Sequence, residues 1–366
     1  METLVLSGGG AKGAFTAGVV YHMLKMRQEN AASEEERAPF NFAVGTSTGS
    51  LVAGPALLGE RFELRDSYVG VSGNDILENS WLGKLASLVF GTPILVQANM
   101  DPLYELLKAY YIAGGKLDAI RGKDKVCVAT IVNARTGQIQ YMSSADLGSD
   151  YQKPETFVRG VLASASEPVF CQPIQVYKDE PDHQYEKDLF YDGGVKEFLP
   201  LTYAFRNGAT RIWAISTHKP EFNESEWAGT TAPDDVSVLT VVKWVLDSVL
   251  NEVERGDLFR GVAFARLGRA RRQVDKLADD LGLDDVQKQK LLKILDDVFP
   301  ISSDQADGLH VIWPSRPMTA SLEFDPKEMY RYFVNGRLDA EGYFGGGDPP
   351  EFAEVNRDDP FIRSLL

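Results

Sequence analysis

The 366-residue chain predicts a three-layer α/β/α fold with a mostly parallel sheet and a helical C-terminal extension. Two observations carry that prediction. Short apolar, strand-like runs are interleaved with helix-like stretches. Turns rich in glycine and other small residues follow directly on several of those runs, at strand ends, where open sheets of this kind carry their sites.

Taken in order, Thr3 to Ser7 reads as a buried strand, followed by Gly8-Gly9-Gly10-Ala11-Lys12-Gly13 and a helix from Ala14 to Met26. A polar loop from Gln28 to Arg37 leads to a second strand, Phe40 to Val44, then Gly45-Thr46-Ser47-Thr48-Gly49 and a small-residue helix. Residues 71–115 interrupt the pattern with Trp81, Leu82, Leu85, Leu88, Val89 and Phe90 and a helix from Asp101 to Tyr111. That stretch reads either as a helix pair packed on the core or as a lid and acyl-chain wall. Further strands are expected at Val126 to Val132, Gln138 to Met142, Asp188 to Tyr191, Arg211 to Ser216 and His310 to Trp313. An acidic loop spans 221–235. Helices are expected at Val236 to Glu254, apolar around Trp244, at Asp257 to Gly282, and at Asp284 to Phe299, where Asp284 and Asp285 supply the N-terminal cap. The expected division is a core over 1–217, a helical extension over 218–344 that returns to the core with a strand near 308–314, and a loosely packed tail over 345–366.

A net charge of −15 argues against nucleic-acid binding and against general adhesion to anionic membranes. The Arg266, Arg269, Arg271 and Arg272 cluster reads as a solvated helix face making salt bridges, with contact to lipid phosphates as the alternative. The two cysteines, Cys127 and Cys171, imply no disulfide framework and suit a cytoplasmic setting. Met1-Glu2-Thr3 leads straight into a strand, so no signal peptide is expected, and no run reaches the ~18 apolar residues of a membrane span.

Ser47 sits in a G-x-S-x-G pattern between a strand and a helix, the arrangement of a nucleophile elbow. The turn needs small neighbours, supplied by Gly45 and Gly49. The helix that follows aims unpaired N–H groups at any oxyanion formed there. The Gly8–Gly13 loop is a generic anion site, with close backbone approach and a helix dipole behind it. It also fits G-x-G-x-x-G, which raises a dinucleotide reading. That reading wants an acid about 20 residues on, at a strand end. Glu34, Glu35 and Glu36 lie instead in a loop-like run, so an oxyanion hole for Ser47 is the favoured role. Asp192, beside Gly193 and Gly194, is a strand-end carboxylate open to close approach, although Asp-Gly is also a common turn dipeptide. A serine needs a base, and the four histidines are His22, His183, His218 and His310. Ser47, Asp192 and His218 or His310 would satisfy the chain order of a Ser-Asp-His esterase. Against that rival, only one strand precedes the elbow.

Together LSGGGAKGAFTAGVV, GTSTGSL and DGGV, in this order, resemble the patatin-like phospholipase family. The Ala163–Phe170 stretch, and Met329–Phe333 with Gly336, resemble further segments of it. The resemblance implies a dyad, with Ser47 as nucleophile and Asp192 as base. Oxyanion donors would come chiefly from Gly9 and Gly10, with Gly8, Gly13 and the Thr48 N–H beside them, and Lys12 matches the family's basic loop residue. The expected activity is cleavage of lipid or phospholipid acyl esters, with transient contact to a membrane or micelle surface and no metal or cofactor. One departure is Phe198, where the family often carries Asn. A ligand-gated or non-catalytic lipid-binding effector of the same fold is the alternative, with the 236–300 helices as a regulatory surface.

Overall fold

The computed structural model describes residues 1–30, 40–69, 98–122, 124–147, 153–218, 238–298, 308–316, 318 and 324–346. The Trp81–Phe90 run, the 221–235 loop, the Trp244 side chain and residues 347–366 lie outside that set. β1 (Glu2–Leu6) and β2 (Phe42–Thr46) are buried almost throughout. Strands buried on both faces read as continuous apolar runs, as a helix-covered parallel sheet requires. β3 (Val126–Asn133), β6 (Arg211–Ile215) and β7 (Leu309–Ile312) complete the parallel set. β4 (Ile139–Ser143) and β5 (Phe190–Asp192) are antiparallel, and both pair with β3. The sheet order is β4-β3-β2-β1-β6-β7, with β5 beside β3 off that path.

Alternate residues of each strand serve opposite layers. Leu4 and Leu6 join Phe15, Leu24, Val52, Leu57 and Phe157 on one face. Val5 and Val44 join Val128, Leu199, Leu201 and Leu258 on the other. The first layer is built from α1 (Gly13–Asn30), α2 (Thr48–Leu58), α3 (Arg61–Val69), α4 (Asp101–Lys108), α5 (Lys116–Ile120) and α6 (Pro154–Ser164). The helix expected from Asp101 to Tyr111 stops at Lys108 and widens into a π turn, Ala109–Ala113, which places Tyr111 in the core.

The second layer holds α7 (Leu201–Arg206) and α8 (Val238–Asp280). The two helices expected at 236–254 and 257–282 are one. Its inward face runs on without interruption through Leu250, Glu254, Asp257, Leu258 and Ala265, and both acids are hydrogen-bonded, so nothing forces a break at Gly256. α9 (Asp285–Val298) opens with a reciprocal cap. Asp284 Oδ1 accepts the Gln287 N–H at 2.8 Å and Gln287 Oε1 accepts the Asp284 N–H at 3.1 Å. α10 (Pro326–Gly345), which contains the Met329–Phe333 segment, returns to pack along α1. Its N-cap, Asp325, accepts the N–H groups of Lys327 and Glu328.

Candidate active site

Sheet register brings Ser47 and Asp192 together. β2 pairs with β3 only as far as Thr46 opposite Thr130. That leaves Ile131 to Asn133 uncovered on that edge, because β4 occupies the other. β5 takes those three residues, with Asp192 opposite Ile131. Ser47 is the residue after Thr46, so it arrives level with Asp192. Both side chains line the same cleft, where the Ser47 hydroxyl acts on the Asp192 carboxyl.

Ser47 adopts φ 54° and ψ −130°, a backbone region that non-glycine residues seldom occupy. Three contacts hold it there. Its N–H donates to Ser164 Oγ at 3.0 Å, and its carbonyl accepts from Ser50 N at 2.9 Å and Ser50 Oγ at 2.6 Å. Gly49 lets α2 pass under the end of β1: a Cβ there would lie 2.6 Å from the Ser7 carbonyl oxygen. Thr48 opens α2, whose first N–H groups have no partner within the helix.

Asp192 is 5% exposed. Burial pushes its carboxyl up to about 7, while the Ser47 hydroxyl and the Gly194 N–H pull the other way. The Gly194 bond reaches Oδ1 at 2.7 Å. A base that titrates near neutrality is well matched to taking and returning a proton. The Asp192 N–H donates to the Ser166 carbonyl at 3.0 Å. The 164–166 segment, part of the Ala163–Phe170 stretch, thus touches both Ser47 and Asp192.

The glycine loop turns at Gly9 and Gly10, with φ of 152° and 55°. These two line the cleft above Ser47. Gly8, Lys12, Gly13 and Thr48 do not appear in its lining. Lys12, fully buried, directs its ammonium at His218 Nε2, 3.0 Å away. Phe198 wedges between the two loops: a Cβ on Gly8 or Gly194 would lie 3.0 or 2.9 Å from its ring. Gly193 packs its backbone against Thr130.

The cleft encloses about 500 Å³ including its open mouth. Pro168, Val195, Phe198, Leu246 and Leu250 give it apolar walls, with Glu167, His218 and Asn251 among the polar lining. Leu246, Leu250 and Asn251 come from α8, which sequence reasoning assigned to an extension. Glu254 and Asp257 of the same helix, each 1% exposed, were also missed. Asp257 Oδ2 accepts the N–H groups of Phe198 and Leu199 at 2.7 and 2.9 Å. The signal was present: both acids fall at helical spacing from Leu250 on the apolar face, where an acid needs a partner.

Of the histidines, His218 alone among the described residues lines the cleft, and its Nδ1 pairs with Glu254 while Nε2 meets Lys12. His310 stacks on Trp213 with ring centroids 4.2 Å apart. His183 stacks on Tyr177 and His22 on Phe344. Among the described residues no group of three or more His, Cys, Asp or Glu side chains is arranged to hold a metal ion.

Comparison with known proteins adds three findings. No curated protein matches the chain. Among solved structures, VipD from Legionella pneumophila aligns over 94% of this chain and 67% of its own, at 13% identity and a TM-score of 0.36. The family model described as patatin-like phospholipase matches residues 4–205, more than half of the chain and inclusive of the glycine loop, the elbow and Asp192. The chain belongs to the patatin-like phospholipase family.

Proposed function

We propose that this chain is a serine acyl hydrolase acting on lipid or phospholipid acyl esters. The observation that carries the proposal is that Ser47, on the strained turn that opens α2, and the buried Asp192 carboxylate line one apolar-walled cleft together. In this reading Asp192 takes the hydroxyl proton as Ser47 Oγ attacks the ester carbonyl. Developing negative charge on the carbonyl oxygen is received by backbone N–H groups of the glycine loop, chiefly Gly9 and Gly10, and by the Thr48 N–H at the start of α2. Asp192 then gives the proton to the leaving alcohol oxygen, and an acyl-serine remains. Water attacks that ester with Asp192 again as base, and the fatty acid departs. The apolar walls from Pro168, Val195, Phe198, Leu246 and Leu250 suit an acyl chain. Substrate of this class comes from a bilayer or micelle, so surface contact is transient. Among the described residues no helix is long and apolar enough to cross a membrane.

The Ser-Asp-His alternative is disfavoured because both ring nitrogens of His218 are engaged, by Glu254 and Lys12. A non-catalytic effector is separated from the enzyme by intact-mass labelling with a fluorophosphonate, on wild type and on Ser47→Ala, with turnover of a medium-chain aryl ester alongside. One adduct, lost together with turnover in Ser47→Ala, is the expected result. A folded wild type that takes no label would refute the hydrolase reading and favour the effector.

A further inference from the structure

We propose that His218 and Glu254 are positioning residues, which hold the glycine loop in its oxyanion-receiving shape through Lys12 and Thr217. This inference rests on the hydrolase reading of the same site. Glu254, on α8, grips the segment that follows β6. Its Oε1 accepts the Ser216 hydroxyl at 2.6 Å and the Thr217 N–H at 3.3 Å, and its Oε2 pairs with His218 Nδ1. A carboxylate can only accept, so Nδ1 carries the hydrogen of a neutral ring and Nε2 is left as an acceptor. The Lys12 ammonium, 3.0 Å from Nε2, donates to it. The tautomer is therefore fixed from both sides.

The gripped segment in turn grips the glycine loop. Thr217 Oγ1 donates to the Gly8 carbonyl at 2.8 Å, and the Thr217 N–H also reaches Ser7 Oγ at 3.0 Å. Gly9 packs so closely on Thr217 that a Cβ would lie 3.0 Å from its side chain. Contacts therefore run from α8, through residues 216–218, to Ser7, Gly8, Gly9 and Lys12. Lys12 is fully buried and Glu254 is 1% exposed. Burying a cation and an anion bridged by an imidazole is costly, and apolar packing would serve stability as well. What the polar chain supplies is a fixed place for the loop backbone, and the N–H groups of Gly9 and Gly10 act only if they point at the oxyanion.

The test uses the full-length chain and four variants: His218→Ala, Glu254→Ala, their double, and His218→Gln. Aryl-ester kcat and KM are read in parallel with hydrogen exchange of the peptide covering residues 7–13, with the α2 peptide as fold control. Misplacing the loop is equivalent to losing an oxyanion donor, so each alanine variant is expected to lose about 10²-fold in kcat. KM should stay near the wild-type value, and the double variant should lose no more than either single one. The Gln amide offers an acceptor to Lys12 and a donor to Glu254, so His218→Gln should recover most of kcat. Loop exchange should accelerate in the alanine variants while α2 is unchanged. Wild-type kcat in His218→Ala, multiplicative losses in the double variant, or His218→Gln no better than His218→Ala would overturn the proposal. An inert wild type would instead sink the hydrolase reading. The exchange arm then decides alone: acceleration supports the tie, and wild-type exchange rates in both alanine variants overturn it.

Discussion

Replacing Asp192 by Asn removes one ionisable group from the core while keeping its shape and an oxygen for the Gly194 N–H. In the unfolded chain an aspartate titrates near ~3.9. In the folded protein burial raises this one to about 7. Between those values the folded state holds a proton that the unfolded state has released, so stability falls as pH rises through the window. At 1.36 kcal/mol per pH unit, crossing the whole window costs about 4 kcal/mol, and the part between pH 5 and pH 8 about 3 kcal/mol. Glu197 and Asp257, raised to about 7 and about 6 by burial, slope the same way but are present in both proteins and cancel in the comparison. Urea unfolding of wild type and Asp192→Asn at pH 5 and pH 8 reads the difference directly. The variant should gain on the wild type by about 3 kcal/mol between the two pH values, and it should be inactive toward esters. Parallel pH dependences in the two proteins would refute the buried, proton-holding aspartate. On the expected outcome, Asp192 is a fold liability at neutral pH, a common trade at functional sites.

Three further outcomes are expected. Ester turnover should rise with pH as Asp192 ionises and level off above about 7, and a flat kcat between pH 5 and pH 9 would exclude it as the base. Tyr111→Phe removes a buried hydroxyl that has no hydrogen-bond partner among the described residues, so urea unfolding should show a variant as stable as wild type or more stable by about 1 kcal/mol, whereas a clear loss would reveal a partner. Gly49→Ala drives a Cβ against the Leu6 and Ser7 carbonyls; it should cost about 1–3 kcal/mol in the same assay and abolish labelling of Ser47.

The part of the site written in short local patterns was legible, because each pattern is a strand, a small-residue turn and a helix start within about 15 residues. The glycine loop after β1, the elbow after β2 and Asp192 at the end of β5 all belong to it. What brings Ser47 level with Asp192 was not legible. It depends on β2 stopping at Thr46 while β3 runs on to Asn133, a difference in strand length that only pairing reveals. The antiparallel sense of β4 was readable, because residues 134–138 are too short a connection for a parallel crossover. The tie from Glu254 to His218 and Lys12 joins residues 36 and 206 positions apart, beyond any periodicity. The two acids of α8 were readable as inward-facing, but their partners were not.

The position of α8 in the chain also sets an order of events during synthesis. Residues 4–205 hold every motif of the site, yet one cleft wall and both carboxylate anchors arrive only with Leu246 to Asp257. On a ribosome adding about 5–20 residues per second, several seconds separate the emergence of Asp192 from that of Asp257. During that interval the nascent chain carries Ser47 and Asp192 without the helix that walls the cleft and anchors its loops. A ribosome-bound chain halted before residue 246 should therefore be inert toward esters even with its elbow formed. The timing of acyl hydrolysis would then be set by translation of the helical segment.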